Sequence, residues 1–223
     1  MTVPWTVRVT GRACALVVGV TLFVALLAAQ VVHMLGGPGQ TAGLLASATL
    51  EGMLLVAIWR FGPWRYGRSW EALGLRARFN KGTPLALLVL LFSIGFAAVY
   101  TAVVSQLGQE GLTPPPLPNE MMETYLQRVA TFGLIVVVAP VAEEAFFRGF
   151  LLPVFAQRWG FWVGASFVSL LFGTAHLAPG LMIPAFVSGM LLAWLYRRTG
   201  SLWNCFLAHS AQNALAFAVA ILV

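Results

Sequence analysis

Leu134-Ile135-Val136-Val137-Val138-Ala139-Pro140-Val141-Ala142-Glu143-Glu144-Ala145-Phe146-Phe147-Arg148-Gly149-Phe150-Leu151-Leu152 sets two carboxylates and one guanidinium into a run that is otherwise apolar. Ionisable side chains are costly in a bilayer, so they are rare there and mark functional sites. Two later stretches repeat the pattern, Phe172-x-x-x-His176 and His209-x-x-x-Asn213, each within a hydrophobic segment. Two carboxylates, two imidazoles, a guanidinium and a carboxamide in three neighbouring apolar segments point to chemistry performed inside a membrane.

Working outward, the whole composition places the chain in lipid. Of 223 residues, 60% are hydrophobic and 9% charged, and the mean hydropathy is +0.86, far from a soluble domain. Several apolar runs reach the ~20 residues that a spanning helix needs. The fold expected is all-α, a polytopic bundle of about seven spans plus an interfacial or broken helix. The net charge of +6 is almost all arginine, scattered through short loops. That distribution follows the positive-inside rule and forms no basic stripe for nucleic acid. Cys14 and Cys205 are too few for a disulfide framework or a Cys-based metal site. No Asp occurs, which excludes an aspartyl mechanism.

Helices are expected over residues 12–35, 41–60, 83–107, 161–177, 181–197 and 201–222, with a longer helical region over 119–157 interrupted at Pro140. The first run is longer than a signal-peptide core of ~7–15 residues and reads as a retained span. Arg60, Arg65, Arg68, Arg76, Arg78 and Lys81 crowd residues 60–82, while Glu110, Glu120 and Glu123 lie on the next loop. Seven alternating spans put the N-terminus and residues 60–82 on the cytoplasmic side. The part of the long helix before Val129 is expected at the membrane interface. Residues 1–120 read as generic spans and 125–220 as the core that carries the chemistry.

Adjacent helix residues point ~100° apart, so Glu143 and Glu144 cannot share one task. Glu144 and Arg148 are spaced i, i+4, acid first, the favourable order for an ion pair. Glu143 has no partner nearby in sequence, which makes it the candidate general base. His176 shares a helix face with Phe172. His209 and Asn213, one turn apart, can together donate to a developing oxyanion or hold a water. His33 reads as an interfacial residue. Two imidazoles and a carboxylate also make a zinc set with one open position; in that case the ligands are Glu143, His176 and His209. Counting ~1.5 Å per residue from the cytoplasmic helix ends puts Glu143 and His176 ~21–23 Å deep, Asn213 ~18 Å and His209 ~12 Å. There is no Gly-x-Ser-x-Gly, and Ser210 diverges from its neighbour His209, which argues against serine chemistry.

These residues resemble the CPBP family of intramembrane endopeptidases (CAAX protease and bacteriocin-processing, or Abi, proteins). The motifs occur in order as Glu143-Glu144-x-x-x-Arg148, Phe172-x-x-x-His176 and His209-x-x-x-Asn213, and the flanking Arg198-Thr199-Gly200-Ser201-Leu202-Trp203 also fits. The resemblance covers about residues 125–220. It implies peptide-bond hydrolysis in which Glu143 activates water with help from His176. His209 and Asn213 then stabilise the oxyanion, and Arg148 fixes Glu144. It implies a peptide or protein substrate at the bilayer, prenylated in the eukaryotic branch, and the cell membrane of a prokaryote as location. Metal-independent hydrolysis is the expectation, with zinc the alternative. Two other readings remain: a non-catalytic peptide-binding or immunity protein of the same fold, and an ion-coupled transporter, against which stands the lack of any inverted repeat.

Overall fold

The computed structural model describes residues 2–37, 39–75, 82–117, 121 and 124–222. The expected placements of Arg76, Arg78, Lys81, Glu120 and Glu123 therefore lie outside the described residues. Among those described, the architecture is helical throughout, with no strand. Seven helices follow one another: α1 (Val7–Met34), α2 (Gly39–Phe61), α3 (Thr83–Gln106), α4 (Tyr125–Trp159), α5 (Phe161–Ala175), α6 (Pro179–Thr199) and α7 (Leu202–Leu222). Together they form a polytopic bundle.

Five stretches are long and apolar enough to cross a membrane: Val7–Met34, Thr41–Tyr66, Thr83–Gln106, Tyr125–Trp159 and Pro179–Thr199. Phe161–Ala175 is apolar but, at 15 residues, is only ~22 Å long, short of the ~30 Å hydrocarbon layer. Large apolar side chains such as Phe23, Leu26, Leu91, Phe92 and Val99 point outward. On a soluble protein such a surface would aggregate; facing lipid, it is the stable arrangement. The chain is an integral membrane protein.

α4 is where the structure departs most from the sequence expectation. It starts on a capping box in which Thr124 accepts from the Gln127 backbone N–H and Gln127 accepts from that of Thr124. Pro140 does not interrupt it. The helix instead widens into π-helical turns over Gly133–Val138 and Ala145–Leu151. A proline lacks the N–H and crowds the carbonyl four residues back. Pro140 and Pro153 each follow a π-helical turn closely, and the wider register makes the room they need.

One end of the bundle is closed by residues that the sequence reads as a polar loop. Short 3₁₀ turns cover Pro63–Tyr66 and Trp70–Leu73, and Leu73 is buried. Tyr196 donates to the Leu73 carbonyl at 2.9 Å, and the Leu202 N–H donates to the Gly74 carbonyl at 3.0 Å. Trp5 Nε1 donates to the Phe150 carbonyl at 2.8 Å, with its ring stacked on Phe150. α7 therefore begins inside the protein, with Ser201, Leu202 and Asn204 fully buried. At the other end, Thr113 and Pro114 lie so close on Gly180 that a side chain there would collide with the Thr113 carbonyl.

Candidate active site

The centre of the site is a buried ion pair on α4. Arg148 Nη1 donates to Glu144 Oε1 at 2.8 Å, with Arg148 1% and Glu144 0% exposed. The i, i+4 spacing brings the two together on one face. Arg148 Nη2 reaches across to the Gly189 carbonyl on α6 at 3.3 Å. Gly189 is needed there: a Cβ would stand 3.3 Å from Nη2 and 3.0 Å from the Ser169 Cβ. The guanidinium also lies 4.4 Å above the Phe172 ring of α5, a cation–π contact that stabilises a charge held away from water. One arginine thus ties α4, α5 and α6 together.

Glu144 Oε1 has a second donor. His209 Nδ1, from α7, lies 2.9 Å away. A carboxylate can only accept, so Nδ1 carries the hydrogen and the other ring nitrogen is aimed elsewhere. It is aimed at Glu143, with Nε2 3.6 Å from Oε2. Arg148, Glu144, His209 and Glu143 thus form one continuous array. Glu144 fixes the orientation of the imidazole through this hydrogen bond.

Phe172 is the hub between the two histidines. Its ring meets His176 edge-on at 5.0 Å and His209 edge-on at 5.8 Å. His176 is the first residue beyond the last turn of α5, not inside the helix as expected. Its Nδ1 donates to the Phe172 carbonyl at 2.9 Å, which leaves Nε2 as the free lone pair of the neutral ring. Leu177, next along, has φ 56, a left-handed conformation that is rare without glycine. The chain reverses there into α6.

Asn213 is on α7 as expected, but its Nδ2 donates to the Ile135 carbonyl at 2.9 Å. The local register supplies a reason. At the end of the first π-helical turn the Ala139 N–H bonds to Leu134, so the matching donor for Ile135 would be Pro140, which has none. Asn213 takes its place. Its second amide hydrogen remains for another acceptor.

Depth counting placed His209 ~10 Å shallower than Glu143, whereas the two lie 3.6 Å apart. The count assumed that α7 starts at the membrane surface. It starts buried, with Leu202 level with Gly149 on α4, whose Cβ would stand 3.1 Å from Leu202 Cδ1. Seven residues further on, His209 arrives beside the paired glutamates.

Among the described residues, no three His, Cys, Asp or Glu side chains converge as a metal-holding group. Sequence reading gave no role to Glu51, which is 2% exposed on α2, the helix that packs on Ala139–Glu144. The signal that identifies it is a lone carboxylate inside a membrane span.

The family model described as type II CAAX prenyl endopeptidase Rce1-like matches residues 125–215, somewhat less than half of the chain. An Escherichia coli protein, "Uncharacterized 24.3 kDa protein", is 36% identical over 92 residues, 39% of this chain and 42% of its own. The Bacillus subtilis (strain 168) "Putative membrane peptidase YdiL" is 25% identical over 129 residues, 56% of this chain and 50% of its own. The chain spans about half the length of the curated relatives it matches. No solved structure matches it significantly. The resemblance carried by the three motifs therefore holds: the Rce1-like family model matches the residues that include Glu143, Glu144, Arg148, His176, His209 and Asn213.

Proposed function

We propose that this protein is an intramembrane endopeptidase of the CAAX-processing kind, with Glu143 as the base that activates water. The observation that carries the reading is the array Arg148–Glu144–His209–Glu143, in which every member but Glu143 is held by direct hydrogen bonds. A hydrolase needs one carboxylate free to take a proton and a rigid surround to aim it.

The reaction then runs as follows. A water held between Glu143 and the Nε2 lone pair of His176 gives a proton to Glu143 while its oxygen attacks the scissile carbonyl carbon. The oxyanion accepts from the second amide hydrogen of Asn213 and from His209 Nε2. To donate there, His209 must be an imidazolium, with Glu144 as its counter-ion. When the C–N bond breaks, Glu143 returns the proton to the leaving nitrogen. Arg148 touches no substrate; it holds Glu144 in place. The substrate class is a peptide or protein tail at the bilayer, with prenylated C-termini the first to try, since the matching family description names them. The basic residues at the N-terminus and in 60–82 put both on the cytoplasmic face.

The test uses purified protein in detergent with a peptide library that includes farnesylated C-terminal tails, scored by mass spectrometry. Cuts made by the wild type and absent with Glu143→Gln are expected, with unchanged membrane insertion of the variant. Equal cutting by Glu143→Gln would remove Glu143 from the role of base. No cutting by either protein would favour a peptide-binding member of the fold. Cleavage in the presence of a chelator supports metal-independent chemistry; loss restored by added zinc would assign the water to a metal.

A further inference from the structure

Glu51 is buried in the N-terminal half of the chain, on the face of α2 that also buries Leu54, Ala57 and Ile58. α2 packs on the stretch of α4 that carries the paired glutamates, as well as on α1. Glu51 Oε2 is enclosed with no hydrogen-bond partner, and among the described residues no ion pair includes Glu51. α1 and α2 run antiparallel about the turn after Met34, so Thr21 lies at about the level of Glu51. Its hydroxyl is also enclosed and without a partner.

An enclosed carboxylate without a cation is strongly unfavourable, because the charge loses its hydration with nothing to replace it. Among the described residues, the charged groups of the site already have partners. Arg148 is engaged by Glu144 and the Gly189 carbonyl, and His209 lies between Glu144 and Glu143. Arg8 and Arg12 lie near the opposite end of α1 from its junction with α2. The stable form of Glu51 in that place is the neutral acid, which can donate and accept at once. Glu143 lies on Ala139–Glu144, the segment of α4 that α2 packs on, and among the described residues no direct hydrogen bond joins it to Glu51. Enclosed polar atoms that lack protein partners are commonly bridged by water.

We infer that Glu51 is a positioning residue of the site, a neutral carboxylic acid that holds Glu143 in its working orientation through one bridging water. This rests on the protease reading. It brings the N-terminal helix pair into the machinery and explains why a membrane span carries an acid with no counter-ion.

The experiment compares Glu51→Gln and Glu51→Leu in the full-length protein. Gln keeps a donor and an acceptor; Leu keeps the volume and removes both, and folds at least as well because it buries no polar atom. The expected result is a kcat within about threefold of wild type for Gln and roughly ten- to a hundredfold lower for Leu, with KM unchanged in both. Leu equal to the wild type, Gln as impaired as Leu, or a loss confined to KM would each overturn the inference. A second readout does not need turnover. Infrared difference spectra should show a protonated-carboxyl band lost in Glu51→Gln and shifted in Glu143→Gln. Absence of such a band in the wild type overturns the neutral acid even if the protein is a protease. If no substrate is cut by any variant, the protease reading fails and the infrared result still decides this one.

Discussion

Replacing Arg148 by Met should be among the most damaging single changes in the bundle. The guanidinium is 1% exposed and makes three kinds of contact: the 2.8 Å pair with Glu144, the 3.3 Å bond to the Gly189 carbonyl and the 4.4 Å approach to the Phe172 ring. Removing one partner of a buried pair leaves the other stranded, at a cost of about 3–5 kcal/mol. The cation–π contact adds up to about 2 kcal/mol, though the losses overlap and do not sum. Neutral polar contacts in membrane bundles are weaker, averaging about 0.6 kcal/mol, so this pair should stand well apart from them. A loss of 3–5 kcal/mol lowers the folded-to-unfolded ratio by about a hundred- to several-thousand-fold, a large share of a total of roughly 5–15 kcal/mol. The assay is reversible unfolding in mixed micelles, followed by tryptophan fluorescence. The double variant Arg148→Met/Glu144→Gln should recover most of the loss, because the Glu144 charge is then no longer stranded and Gln still accepts from His209 Nδ1. A single variant that costs less than about 1 kcal/mol would refute the reasoning, as would a double variant no more stable than the single.

Asn213→Ala removes the donor to the Ile135 carbonyl, so it should lower stability by about 1–3 kcal/mol as well as activity; chemical denaturation of the variant checks the structural share. If stability is untouched while activity falls, the amide serves the reaction alone. Phe172→Leu should lower kcat roughly tenfold or more, because His176, His209 and Arg148 all pack on that ring; steady-state kinetics on a cut peptide would show it, and an unchanged kcat would remove the ring from the positioning of the two histidines. Gly189→Ala should act like a weaker Arg148 variant, since the new methyl crowds Nη2 and Ser169. A melting temperature lowered by a few degrees is expected, corresponding to about 1–2 kcal/mol.

Composition and spacing alone established a great deal. Apolar runs of spanning length, with almost no charge, force a helical membrane bundle because backbone groups in lipid must bond within their own segment. The i, i+4 geometry of Glu144 and Arg148 is a property of the helix itself, so that pair was legible without tertiary contacts. The same holds for the shared face of Phe172 and His176. The relations between helices were not legible. That His209 pairs with Glu144, and faces Glu143, depends on α7 starting inside the protein against Gly74 and Leu73, a packing fact with no local signature. That Asn213 serves Ile135 depends on how a π-helical turn meets Pro140. And the nearness of α2, which carries Glu51, to the paired glutamates depends on how α2 packs against α4. Local periodicity fixes which face of a helix a side chain occupies; depth, tilt and rotation are set by the neighbours it packs on, and only these decide which charges meet.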